Sequence, residues 1–182
     1  MNEYIDLLNE DGKKTGESCL KSEAHKKGLF HASAHIWIFN QHKEVIIQKR
    51  AANKDTFPNL WDVSVAGHIS AGEHPIISAL REVEEEIGLS LLINQLKYIG
   101  TSKKKIKHHA TLIDNELHHI YICEINFDIQ SLKIQKEEVS EIKKISLNTL
   151  INSIKDPLNK FVPHGNDYYT FVFNEIKKYN SI

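Results

Sequence analysis

Alternating and continuous apolar runs along the chain predict a series of short strands. Segments 35–40 and 44–50 are rich in β-branched and aromatic residues, and the short polar stretch between them predicts a hairpin. A third strand is predicted over residues 61–67, where polar and apolar residues alternate up to a glycine. The remaining predicted strands cover residues 4–8, 95–100, 118–127 and 139–145. A glycine-containing turn is expected after the first of them.

The segment that follows the third strand has a helical period instead. Four apolar residues fall within about a 60° arc at 100° per residue, and they are Ile76, Leu80, Val83 and Ile87. Pro75 suits the first helical turn and Gly88 suits a left-handed helix end. Further helices are predicted over residues 147–154 and 159–179. Because strands and helices are interleaved, the chain is expected to be an α/β protein with a mixed β-sheet and helices on both faces.

Length and composition narrow the class of protein. A chain of 182 residues suits one domain, 1–182, in which residues 1–33 form an N-terminal extension packed on the rest. The net charge of -1 gives no electrostatic reason to expect nucleic-acid binding. No apolar run approaches the roughly 18 residues of a membrane span. Residues 1–12 lack the features of a secretory signal, and two cysteines make no disulfide framework, so a cytoplasmic location is expected.

The predicted helix 75–88 carries an unusual concentration of carboxylates. Glu82, Glu85 and Glu86 stand at positions i, i+3 and i+4 and share a face away from the apolar stripe, whereas Glu84 is expected to point to solvent. Two unit charges 4 Å apart repel by about 4 kcal/mol at an effective dielectric of 20. A hard divalent cation such as Mg²⁺ or Mn²⁺ would relieve that repulsion. The alternative is a solvated acidic helix face.

The spacing of the surrounding residues resembles the Nudix box. Every defined position of that motif is filled, by Gly67, Glu73, Arg81, Glu82, Val83, Glu85, Glu86, Gly88 and Leu89. The resemblance implies an α/β/α sandwich in which a loop–helix–loop holds a metal ion. It also implies hydrolysis of a diphosphate linkage by metal-activated water.

The same resemblance implies a role for each residue. Glu82, Glu85 and Glu86 would be metal ligands together with the carbonyl of Gly67. Glu82 or a neighbour such as Glu85 would act as base, and Arg81, oriented by Glu73, would hold the glutamates. The predicted catalytic residues are therefore Glu82, Glu85 and Arg81.

A second resemblance covers roughly residues 3–175. The stretches 24–32, 48–50, 58–68 and 114–116 are similar to isopentenyl diphosphate isomerases and their hydrolase relatives. In the isomerases three histidines and two acidic residues hold one divalent metal, and the matching positions are His25, His31, His68, Asp114 and Glu116, with an Asp in place of one usual Glu. Such a set would suit Mn²⁺ or Zn²⁺. The alternative is a group of surface or hydrogen-bonded histidines.

One departure from the isomerases argues against isomerisation. They carry a cysteine immediately before the Gly-His pair, and this chain has Ala66 there, which can neither donate nor accept a proton. Hydrolysis of a nucleoside diphosphate derivative or a related small molecule is therefore expected. An isomerase, or a Nudix domain that binds a ligand without turnover, remains the alternative.

Basic residues suggest where substrate phosphates would bind. Lys49 and Arg50 end a predicted strand that the resemblance places near the cleft. Segment 103–109 holds four lysines and two histidines and is expected to be a loop, within a larger loop region 99–117 that would help to select the substrate. A small-molecule diphosphate is thus the expected partner. Many relatives form homodimers, but the chain itself establishes no interface.

Overall fold

The computed structural model describes residues 3–179, so residues 1–2 and 180–182 of the predicted domain lie outside the described residues. Within that part of the chain there are nine strands: β1 (Tyr4–Leu8), β2 (Lys14–Leu20), β3 (His31–Phe39), β4 (Glu44–Arg50), β5 (Trp61–Asp62), β6 (Val65–His68), β7 (Lys97–His109), β8 (Leu112–Glu124) and β9 (Val139–Ser146). The same residues form four α-helices: α1 (Lys21–Lys27), α2 (Pro75–Ile87), α3 (Leu147–Lys155) and α4 (Asn166–Lys178). None of these helices is long and apolar enough to cross a membrane.

Strand β3 is the centre of the sheet. It pairs with β8 in parallel along its whole length, from His31 opposite Glu116 to Phe39 opposite Glu124. It also pairs antiparallel with β1 and β6, while β4 pairs antiparallel with β5 and β9. The predicted α/β fold with a mixed sheet is confirmed.

Alternation along β3 divides the interior into two apolar layers. Trp37 and Phe39 pack in one buried cluster with side chains of α3 and α4. Ile36 and Ile38 point the other way and pack in a second cluster with Val83 of α2. Successive strand residues face opposite sides of a sheet, so one strand supplies both layers. Helices therefore cover both faces, as the interleaved pattern predicts.

Helix α2 follows the predicted limits. Pro75 is its first residue, and it ends at Gly88, whose φ of +67° lies in the left-handed region that glycine tolerates. Val83 and Ile87 are fully buried, which accounts for the apolar stripe in the sequence.

The prediction of a loop over residues 103–109 is wrong. These residues belong to β7, which forms a long antiparallel hairpin with β8 and pairs Lys105 with Asn115. Asp114 and Glu116 accordingly lie within β8 and not before it. Most lysines of this strand are exposed and alternate with half-buried residues. On such a solvated surface β-propensity is weak evidence, so the sequence pattern does not predict the strand.

Helix α4 is shorter than predicted, since it begins at Asn166 and not near residue 159. Pro163 disfavours helical geometry at the preceding residue, and Gly165 has a φ of +106°. The segment before the helix instead runs beside β5, where Phe161 forms a parallel bridge with Trp61. This extended segment carries His164 to the centre of the molecule.

The N-terminal residues contact the loop before α2. The amide of Ala71 donates to the carbonyl of Tyr4 at 2.8 Å, and the amide of Gly72 donates to Asp6 at 2.9 Å. Strand β2 begins within the predicted turn, and neither β2 nor α1 is predicted from the sequence pattern. The proposed extent of the N-terminal extension, residues 1–33, remains a prediction.

Candidate active site

The glutamate face of α2, defined as Glu82, Glu85 and Glu86, is divided by burial. Glu82 and Glu86 are 9% and 4% exposed, whereas Glu85 is exposed. Glu84 is also exposed, as predicted from the helical period. Two carboxylates thus lie inside the protein and a third stands at the rim.

Arg81 connects these carboxylates to the preceding loop. Its guanidinium donates to Glu82 at 2.7 Å, to Glu85 at 3.0 Å and to Glu73 at 3.1 Å. It also donates to the carbonyl of His68 at 3.2 Å. Hydrogen bonds from Arg81 therefore connect Glu82 and Glu85 of the glutamate face to Glu73 in the loop before the helix.

Gly67 approaches Glu82 too closely for any larger residue. A Cβ built on Gly67 would lie 2.0 Å from the carboxyl carbon of Glu82. The backbone of β6 and the buried carboxylate therefore share one small volume at the start of the loop. A carbonyl and carboxylates in such proximity form a donor set that suits a hard cation.

Glu86 is the most strongly perturbed carboxyl group on the helix. Burial and the neighbouring Glu82 together raise its pKa to about 8, although a hydrogen bond from Gln48 opposes the rise. Its Oε2 atom is buried and has no hydrogen-bond partner among the described residues. Burial also raises the pKa of Glu82, although Arg81 opposes this. A buried carboxylate in this state calls for a proton or a cation, so the residues present fit a bound metal ion.

A second group of ligands lies beside β6. His25 Nε2 is 3.3 Å from His31 Nε2 and 3.1 Å from His68 Nε2. Glu116 Oε1 is 3.6 Å from His68 Nε2 and 3.9 Å from His31 Nε2. These four residues, the outer histidine group, have ligand atoms within 4.8 Å of one another. They come from α1, β3, β6 and β8.

The protonation of the outer histidine group favours a cation. His31 Nδ1 donates to the carbonyl of Leu29 at 2.8 Å, because a carbonyl only accepts, and this leaves the lone pair on Nε2. Burial and the neighbouring His68 together lower the pKa of His25 to about 3 and that of His31 to about 4. Although burial opposes it, the neighbouring His118 and His68 hold the pKa of Glu116 well below its usual range. Imidazoles around an ionised carboxylate suit a transition metal.

Asp114, the fifth predicted ligand, occupies a different place. It accepts a hydrogen bond from His108 Nε2 at 2.8 Å, and its Oδ1 lies 3.9 Å from His25 Nδ1, the ring nitrogen opposite Nε2. The structure therefore brings four of the five predicted residues together and places Asp114 behind His25. At 3.9 Å the two atoms do not form a hydrogen bond, so Asp114 is near His25 without contacting it directly.

The two predicted phosphate-binding residues differ in position. Arg50 lines the pocket beside Gly67 and His68, where it donates to the backbone of Thr56 at 3.0 Å and lies 3.4 Å from Asp62. Lys49 is not among the residues that line this pocket in the described part of the chain.

The sequence pattern does not identify the inner wall of the pocket. It is formed by the inner histidine group, defined as His35, His118 and His164, together with Asp62. His35 and His118 lie inside strands that read only as core, and His164 depends on the extended segment before α4. Ala66 also lines the pocket, whereas the thiol of Cys123 is buried in the core.

Comparison with known proteins agrees with this geometry. The NUDIX domain family model matches residues 29–165. The chain is 34% identical over 181 residues to Nudix hydrolase 3 of Arabidopsis thaliana, covering 97% of this chain but only 23% of that much longer protein. It is 33% identical over 202 residues to an uncharacterized Nudix hydrolase of Clostridium acetobutylicum, covering 96% and 97% of the two chains.

Isomerases are also among the relatives. The chain is 30% identical over 122 residues to the isopentenyl-diphosphate Delta-isomerase of Serratia proteamaculans, which covers 67% of this chain and 66% of the isomerase. Among solved structures, a protein from Deinococcus radiodurans matches with a TM-score of 0.66 at 16% identity, covering 97% of this chain and 98% of that one. That level of identity supports the fold alone.

Proposed function

The chain belongs to the Nudix hydrolase family, and on that premise we propose that it is a divalent-metal-dependent hydrolase of a diphosphate linkage. The proposed substrate is a nucleoside diphosphate derivative or a related small molecule. The observation that carries the proposal is the burial of Glu82 and Glu86 next to Gly67, with one oxygen of Glu86 left without a partner among the described residues.

The glutamate face, together with the carbonyl of Gly67, would hold Mg²⁺ or Mn²⁺. A divalent ion bound there would neutralise the diphosphate and lower the pKa of a bound water. Arg81 positions Glu82 and Glu85 through direct hydrogen bonds. Glu85 is exposed at the rim, where it can pass a proton to solvent, and Glu82 is the alternative base.

The outer histidine group would hold a second divalent metal, with Mn²⁺ or Zn²⁺ preferred over Mg²⁺ because three ligands are imidazoles. His31 donates from its other ring nitrogen to a backbone carbonyl, which is the outer contact typical of a metal-bound histidine.

Arg50 would bind a substrate phosphate, since its guanidinium lines the pocket and matches phosphate geometry. Lys49, which precedes Arg50 on β4, is proposed as a further phosphate-binding residue. The expected partner is a small molecule and not a nucleic acid. A cytoplasmic location and a homodimer are further expectations that the family and the chain's composition allow.

The outer histidine group and the isomerase relatives favour isopentenyl diphosphate isomerisation as a second candidate. Ala66 argues against it, because a methyl group in the pocket cannot transfer a proton. A ligand-binding sensor without turnover is a third candidate, and it conflicts with an intact set of box residues.

The deciding experiment incubates the protein with Mg²⁺ in heavy water and a mixed panel of nucleotide and prenyl diphosphates, with products read by mass. We expect a product that has lost phosphate or a nucleoside monophosphate. A prenyl diphosphate that keeps both phosphates but gains deuterium would establish the isomerase instead. Binding without any product would establish the sensor.

Two variants on the same helix make the assignment specific. Glu86→Gln should remove turnover while the protein remains folded, because it removes a buried ligand charge. Glu84→Gln is the matched control, since the Glu84 side chain is exposed and accepts a hydrogen bond from Ser90 on the surface. Full activity in Glu86→Gln would overturn the proposed role of the helix.

A further inference from the structure

The inner histidine group lies at the deep end of the pocket, beyond the residues that the family motif accounts for. One ring nitrogen of each histidine lies within 4.8 Å of one ring nitrogen of each of the others. His35 and His118 are 3% and 5% exposed, and their rings stack with centroids 4.0 Å apart. Two buried imidazoles and one half-buried imidazole thus come together from β3, β8 and the segment before α4.

His164 is anchored from behind by a carboxylate. Its Nε2 lies 2.7 Å from Asp62 Oδ1, and Asp62 also accepts a hydrogen bond from the amide of Val63 at 2.8 Å. Arg50 lies 3.4 Å from the other oxygen of Asp62, so this carboxylate is ionised and compensated. An ionised carboxylate only accepts, so His164 donates from Nε2 and its Nδ1 is the nitrogen left for another partner.

Each of the other two rings contacts a hydroxyl group through one nitrogen. His35 Nδ1 lies 2.8 Å from Tyr168 Oη, and His118 Nδ1 lies 2.8 Å from Ser33 Oγ. Both hydroxyl oxygens can accept a histidine N–H. His118 Nε2 is buried and has no hydrogen-bond partner among the described residues. Each ring therefore uses one nitrogen to contact the protein and keeps the other for the pocket.

Glu116 links this group to the outer one. Its Oε1 faces His68 and His31, and its Oε2 lies 3.4 Å from His118 Nδ1. The carboxylate that would bind the outer metal therefore also orients an inner histidine.

We propose that His35, His118 and His164 form an additional metal site for Zn²⁺ or a similar transition metal, separate from the outer histidine group and from the glutamate face. Imidazoles whose second nitrogens contact a carboxylate or hydroxyl groups are the pattern of zinc ligands. Three protein ligands leave a fourth position open toward the pocket that Arg50 lines. That position would accept a water molecule or a substrate oxygen.

The test counts bound zinc without any substrate, so it does not depend on the proposed hydrolysis. Metal-free protein is equilibrated with buffered nanomolar Zn²⁺ in the absence of Mg²⁺, and bound zinc is measured by mass spectrometry of the metal. We expect two equivalents in the wild type, one in His164→Asn and one in His31→Asn. The double variant should bind none.

His119→Asn is the matched control, because His119 neighbours His118 on β8 but its ring contacts Tyr98 outside the pocket. It should keep two equivalents. His35→Asn repeats the test from another strand if His164→Asn loses its native circular dichroism. One equivalent in the folded wild type that folded His164→Asn retains, or two in folded His164→Asn, would overturn the proposal. If the wild type binds two zinc ions but hydrolyses no diphosphate, the result contradicts the proposed function and leaves the proposed zinc site intact.

Discussion

The glutamate face and the outer histidine group are two neighbouring sets of candidate metal ligands with opposite origins. The first comes from one helix over five residues, and its side chains meet because of the helical period. The second comes from four separate elements, and its side chains meet because β3 pairs with β8 and β6 in one particular register.

Their electrostatics differ as well. The glutamate face is anionic, and Arg81 compensates it from one side only. The outer histidine group consists of three imidazoles around the single carboxylate of Glu116. The comparison indicates that one pocket offers a hard, oxygen-rich site and a softer, nitrogen-rich site, which would select different cations.

The largest effect is expected from a substitution that disrupts the glutamate face alone. Gly67→Ala places a methyl group against the carboxylate of Glu82, so we expect it to lower the free energy of unfolding by about 3 kcal/mol and to abolish Mg²⁺ binding. Urea denaturation and Mg²⁺ titration measure both effects. Gly72→Ala should cost only about 1 kcal/mol, the strain of a left-handed alanine, because a Cβ there meets nothing within 4 Å. Equal costs at the two glycines would contradict the close approach.

The second prediction concerns a substitution that disrupts the outer histidine group alone. His31→Asn should weaken the binding of the outer Zn²⁺ by about 100-fold and leave Mg²⁺ binding to the glutamate face within about twofold. Competition with a chelating dye measures the zinc affinity. The exposed His42→Asn serves as control. If His31→Asn weakens both metals equally, the two sites are not separate.

A third prediction uses the raised pKa of Glu86, which is about 8 in the folded protein. In the unfolded chain a glutamate titrates near 4.3, so the folded state binds this proton more tightly, and the metal-free protein loses stability as pH rises from about 4 to about 8. Glu86→Gln removes that loss. Its free energy of unfolding should exceed the wild-type value by about 2 kcal/mol at pH 6 and match it near pH 4, both measured by urea denaturation with a chelator. An identical pH dependence in both proteins would argue against the buried, unpaired carboxyl.

The smallest expected effect concerns the pocket that both sites share. Arg50→Lys keeps the charge but loses the planar fork, so KM should rise about fivefold while kcat stays within twofold; steady-state kinetics on the substrate from the panel would show it. Lys26→Arg, at an exposed position, is the control. An unchanged KM would remove Arg50 from the proposed phosphate site.

Much of this protein follows from its sequence alone. Helix α2, the interleaved strands and the glutamate face depend on contacts between residues a few positions apart, which the hydrophobic period and the positions of Pro75 and Gly88 encode directly. The outer histidines are predicted from the resemblance to known families. Such a resemblance relates positions that are far apart in the chain, which a local pattern does not.

Only the tertiary structure decided which side chains share the pocket. The strand at 97–109 and the short α4 depend on pairing with β8 and β5, which no local pattern reports. The inner histidine group depends on two further features of the tertiary structure. The register of β8 against β3 places His118, and the extended segment before α4 places His164. Sheet pairing joins residues that are far apart in the chain, and a shift of one residue would turn these rings to the opposite face. The sequence therefore determined the elements and the helix-borne ligands, and the packing of the sheet determined where the histidines meet.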